Sequence, residues 1–153
     1  GCKKSEEYVD PSYKCECGSF NWQGQNFLLN DASRIQWDDT LFLTRQYYAT
    51  AELRGGNQFV PANSLNLEMS FEDITQITFF AAVDTFDVMV QEVNYADPLT
   101  VVREFAPVAG TVSIAPALPG ASESVSFSLS LQQVVNGELV GLPVPFSGSL
   151  KAR

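Results

Sequence analysis

Histidine is absent from the 153 residues. With it go the Ser-His-Asp and Cys-His catalytic arrangements, every histidine-bearing metal ligand set and the commonest general base. Positive charge is scarce as well: nine Lys and Arg stand against eighteen Asp and Glu, a formal net charge of −9, and the cations are scattered. A field of that sign repels phosphate backbones and anionic headgroups, so nucleic acid is not an expected partner. Long apolar runs are also missing. The best stretch, Ile77 to Val83, is interrupted by Thr78 and falls far short of the ~18–20 residues a membrane-spanning helix needs. Any membrane attachment is therefore expected to be covalent or peripheral.

What is present suits a folded domain. Hydrophobic residues make up 45% and aromatics 12%, with charged residues at 18%, a balance that supplies a core and is wrong for a disordered chain. The length is natural for one domain with no need of a staple. Residues 1–14 are rich in Lys, Ser and Glu, carry a turn signal at Asp10-Pro11 and lack apolar periodicity. They read as a tether, with a single domain over 15–153.

Alternation dominates that domain. Val125, Phe127, Leu129 and Leu131 alternate with Ser126, Ser128 and Ser130; Leu65, Leu67, Met69 and Phe71 alternate with Asn66, Glu68 and Ser70; Ala49, Ala51 and Leu53 alternate with Tyr48, Thr50 and Glu52. Period two of this quality predicts strands with one dry face. Turn residues fall between the runs, at Gly55-Gly56-Asn57, Pro61 to Ser64, Asp97-Pro98, Pro119 to Ser122 and Asn136-Gly137. The last is the strongest hairpin signal, because both central residues of a type I′ turn need positive φ. Pro143 and Pro145 confine the returning strand to an edge or a bulge. Residues 86–93 fit a helical stripe and a strand, and their β-branched content favours the strand. Asp97 and Pro98 suit the cap and first position of one short helical turn. The expected fold is all-β, an antiparallel β-sandwich with a lipocalin-like β-barrel as the alternative and at most one short helix.

Candidate chemistry is thin, and no cofactor or metal is expected. Carboxylates at Asp38, Asp39, Glu68, Glu72, Asp73, Asp84, Asp87 and Glu92 admit a glycosidase pair, but exposed acids are the ordinary condition of such residues. No Asp-x-Asp-x-Asp-Gly calcium loop occurs. Cys15 and Cys17 flank Glu16 and precede Gly18. On an extended strand they share a face yet lie too far apart to bond easily, so a turn-assisted disulfide and a free thiol pair both stay open. Among the aromatics, Trp22, Trp37, Tyr47, Tyr48 and Tyr95 lie near strand ends or loops, where such rings either stack on a ligand or fill the core.

The opening Gly1-Cys2-Lys3-Lys4-Ser5-Glu6-Glu7 resembles the processed end of a bacterial lipoprotein, in which a small residue precedes an acylated cysteine and a polar tether. The Lys-Lys-Ser-Glu-Glu run resembles the acidic signals that send some Gram-negative lipoproteins to the outer face of the outer membrane. Asp39-Thr40-Leu41 resembles the O-glycosylation site of some Gram-negative surface proteins. The strand Gly110 to Ile114, with the serine-alternating strand and Phe146 to Leu150, resembles small β-rich lipoprotein domains of unknown function. These resemblances imply a lipid on Cys2, a membrane partner through that lipid and an extracytoplasmic location on the outer membrane, periplasmic or at the cell surface. Lipidation of Cys2 also leaves Cys15 and Cys17 as an even pair. The expected function is non-catalytic: binding of a glycan, a small apolar ligand or an envelope protein. A structural subunit pairing through an edge strand is the alternative, and a carboxylate-dependent glycoside hydrolase the third.

Overall fold

The computed structural model describes residues 13–38, 43–54, 61–71, 79–115 and 123–152, with the backbone alone at 36–38, 43–44 and 79–80. Cys2, Asp39-Thr40-Leu41, Glu72 and Asp73 lie outside these residues, as do the turns expected at 55–57 and 119–122. The chain forms strands β1 (Gly18–Trp22), β2 (Gln25–Leu28), β3 (Asp31–Asp38), β4 (Leu43–Glu52), β5 (Ser64–Phe71), β6 (Phe79–Ala82), β7 (Asp87–Val93), β8 (Val101–Ala115), β9 (Glu123–Val135) and β10 (Glu138–Ala152). Of residues 86–93, Asp87–Val93 are strand, as the composition of the segment favours. The one helical element among the described residues is a 3-10 turn, Val83–Thr85. The expected helical turn at Asp97 is a β-turn instead. Thr100 donates its N–H to Asp97 O, the Asp97 carboxylate accepts from Leu99 N and Thr100 Oγ1, and strand begins at Val101.

All strand pairs are antiparallel. They make one sheet in the order β2-β1-β10-β9-β8-β7-β5-β4-β3, with β6 on β8, and the sheet curls into a half-barrel of sandwich-like or barrel-like character. The two ends of that order are consecutive in the chain. Leu29 N donates to Gly18 O, continuing the pairing of β2 with β1, and Asn30 N donates to Thr50 O, opening the pairing of β3 with β4. A strand that changes partner at such a bend turns the corner between sheet faces. Leu29 fills the inside of the bend, fully buried.

Turn chemistry sets the hairpins. Asn136 and Gly137 both have positive φ, 50° and 79°, and join β9 to β10 with Val135 opposite Glu138. Gln23 and Gly24, at 51° and 78°, make the same kind of turn between β1 and β2. In β10 the ladder is interrupted between Val140 and Val144, next to Pro143, and β1 accompanies β10 only from Phe146 onward. Before Phe146, β10 has no hydrogen-bonded partner on that side among the described residues, although β3 lies near it, and Pro143 and Pro145 offer no N–H to an added strand there.

The core lies on the concave side and follows the alternation. Val125, Phe127, Leu129 and Leu131 point inward with Leu65, Leu67, Met69 and Phe71, and each fully buried side chain of this size stabilises the fold by about 1.5–3 kcal/mol. Phe20 and Trp22 stack edge-on against Phe146, and Trp22 also against Phe105. At Gly148 a Cβ would stand 2.4 Å from Ser19 O and 2.9 Å from the Phe127 ring. That glycine lets β1 and β10 close over the aromatic cluster.

Candidate functional site

Among the described residues two carboxylates are nearly buried, Glu123 and Glu92, and both are committed to structure. Glu123, at the start of β9, takes Arg45 at 2.5 Å and Arg34 at 2.6 Å and accepts a hydrogen bond from the Tyr47 hydroxyl. These partners come from β3 and β4, so the cluster ties the far end of the strand order to β9 across the interior. Glu92 takes Arg103 at 2.5 Å and the Asn63 amide at 2.8 Å. Glu123 is thus paired with two arginines and Glu92 with one. The exposed acids Asp84 and Asp87 stand on the solvent side.

The Tyr47 phenol is held far above its ordinary value near 10, chiefly by burial and then by the bond to Glu123 and its charge, with Arg45 acting in the opposite sense. A folded-state value above the unfolded one means that the folded chain keeps a proton the unfolded chain gives up. Stability from this group is fully present below pH 10 and is lost as pH rises through the folded value. The expected slope is about 1.4 kcal/mol per pH unit above pH 10. Urea unfolding followed across that range checks it, with Tyr47→Phe flattening this part of the slope.

The aromatic candidates separate. Trp22 and Tyr47 are 2% and 0% exposed and belong to the core, so they offer no face to a ligand and that expectation is corrected. The reason is parity: Trp22 lies two residues from buried Phe20, and Tyr47 two from buried Ala49 and four from Ala51. Trp37 pairs with Thr44 through its backbone, and its side chain lies outside the described residues. Tyr95 is exposed on the loop after β7. Tyr48, of opposite parity to Tyr47, points to the outer face. Cys15 and Cys17 form a disulfide. Glu16 adopts φ of 54° between them, and this bend brings the Cα atoms to 5.1 Å, against about 6.6 Å along an extended strand.

Tyr48 lies in a groove of about 460 Å³ on the outer face, within the usual range for a small-ligand site. Its floor follows from register. One rung across the sheet is Ser33-Tyr48-Glu68-Met89, and the next is Asp31-Thr50-Asn66-Gln91. Directly opposed residues share a face, so two rungs over β3, β4, β5 and β7 gather these side chains on one surface. Four strands about 4.8 Å apart span roughly 14 Å. Within the groove Thr50 Oγ1 donates to Asn66 Oδ1 at 2.6 Å, which leaves the Asn66 amide N–H groups for a ligand. The Tyr48 hydroxyl donates to Gln46 Oε1, which holds the ring.

Pro98 forms one wall. It is carried by the 94–100 loop, which is tied by Asn94 N to Thr100 O at 3.0 Å, by the Asp97 turn and by Tyr95 N to Asn63 Oδ1 at 3.2 Å. A wall braced in this way is preformed, so little ordering cost falls on binding. The lining includes Asp31 and Glu68 but no Lys or Arg. Among the described residues no cluster of three or more Cys, Asp or Glu is placed to hold a metal. The groove thus combines an aromatic ring, amides and hydroxyls with two acids and no cation. Of its members only Tyr48 and Glu68 stand out in the sequence. Asp31, Thr50, Asn66, Met89 and Gln91 do not, because each looks like an ordinary wet-face residue until the register aligns them.

No family model, curated protein or solved structure matches this chain.

Proposed function

We propose that this protein is a non-catalytic glycan-binding domain of the bacterial cell envelope, held to a membrane by acyl chains on Cys2 and taking a neutral oligosaccharide in the outer-face groove. The observation that carries the binding reading is the placement of the Tyr48 ring among Thr50, Asn66 and Gln91, walled by Pro98. An aromatic face meets the C–H surface of a sugar, and amides and hydroxyls meet its hydroxyl groups. The acidic lining disfavours uronic and phosphorylated glycans. A purely apolar ligand would leave those polar groups desolvated and unpaired.

The tether reading is supported by the Gly1-Cys2-Lys3-Lys4-Ser5-Glu6-Glu7 start. At about 0.8 kcal/mol per buried CH₂, two or more acyl chains hold a domain on a bilayer without a spanning helix. Mass spectrometry of the protein from its own cells is expected to find Cys2 acylated, and a free thiol there would remove the anchor. The binding site is checked on an array of neutral and acidic envelope oligosaccharides. Wild type is expected to retain neutral members, and Tyr48→Ala to weaken them about tenfold with an unchanged melting temperature. Equal binding by the variant would remove the groove from the account.

A further inference from the structure

The three-stranded arm that ends in the Asn136-Gly137 turn breaks the rule the rest of β9 obeys. Through Leu131 that strand alternates apolar inward and serine outward. Beyond Gln133 it reads Val134-Val135, and β10 returns as Leu139-Val140-Gly141-Leu142. Adjacent apolar residues on a strand put apolar surface on both faces, the pattern of strands covered on both sides. Register confirms the split: Glu104, Val134 and Leu139 line one face, while Phe105, Gln133 and Val140 line the other, where Phe105 is still buried against Trp22 and Val140 beside it reaches solvent. Yet this part of the arm is wet. Leu142 is 88% exposed, Leu139 51%, Val135 43% and Val140 37%.

We infer that the β9–β10 arm is a docking element that inserts into an apolar cleft of a partner protein whose rim carries Lys or Arg. The partner's shape follows from the two apolar faces, since a flat surface would cover only one. Its charge follows from Glu104 and Glu138, which flank the apolar residues. From residue 99 to 142 the chain holds a single cation, Arg103, and that one is committed to Glu92. The same charge disfavours a second copy, whose arm would bring acid against acid, and anionic lipid. The missing N–H groups of Pro143 and Pro145 further indicate that side chains, rather than an added strand, make the contact.

The test places a photo-crosslinking residue at Leu139, at Leu142 and, as control, at exposed Ser126 on the outer face of β9, in the full chain expressed in its own cells. These positions are solvent-facing, so the substitutions leave the core intact. The expected result is one protein adduct shared by positions 139 and 142 and absent at 126, joined through a peptide with apolar and Lys or Arg residues. Adding Glu138→Lys is expected to reduce it about tenfold. Adducts to a second copy or to lipid, adducts independent of position, no adduct, or no response to Glu138→Lys would each overturn the inference.

Discussion

Glu123→Ala is expected to lower stability by about 3–5 kcal/mol, the cost of breaking a buried ion pair by removing one partner. Glu123 is 4% exposed, and its carboxylate answers Arg34, Arg45 and the Tyr47 hydroxyl together. Without it two guanidinium groups face one another around an emptied acceptor, with Arg45 Nε already buried and unbonded. Glu123→Gln keeps the shape and one acceptor and is expected to lose less. The loss should also be regional, because the cluster is what ties β3 and β4 to β9. Amide exchange in β3 is expected to accelerate more than exchange between β9 and β10. A urea midpoint shift worth under about 1 kcal/mol would mean that the cluster behaves as a solvated surface pair.

Trp22→Ala is expected to cost about 3–5 kcal/mol, the range for removing a large aromatic from a packed core. The ring is held edge-on by Phe105 and Phe146 at 5.0 and 5.6 Å, so its removal opens a cavity in the aromatic cluster. Trp22→Phe is expected to be far milder. The indole Nε1 is buried without a hydrogen-bond partner, so the smaller ring gives up packing but also removes an unsatisfied donor. Chemical denaturation of both variants checks the pair. If alanine were tolerated and glycan binding lost, Trp22 would be a ligand contact and its place in the core would be wrong.

Much of the architecture was legible because one-sided burial writes itself into parity. The Val125 to Leu131 alternation, the 65–71 alternation and the Asn136-Gly137 turn all hold in the structure, since each depends on neighbours along the chain. The Gln23-Gly24 hairpin carries a weaker local signal, a single glycine in a two-residue turn. Tyr47 obeys the same parity: Ala49 and Ala51 fix the dry face of β4, and Tyr47 shares it. The disulfide was open on spacing alone, because the deciding fact is the backbone bend at Glu16. The groove was illegible for a deeper reason. Tyr48, Asn66 and Gln91 belong to three strands whose alignment is set by register, and β7 comes between β5 and β8 only through the sheet order. Nothing local encodes that.

The groove itself is most directly tested by amide and methyl NMR of the isotopically labelled domain, titrated with a neutral oligosaccharide retained on the array. The expected shifts concentrate at Tyr48, Thr50, Asn66, Met89 and Gln91, the outer-face rungs, and leave Val125, Phe127 and Leu129 still. Shifts centred elsewhere, or saturation binding that leaves those five residues unmoved, would contradict a glycan site on this face.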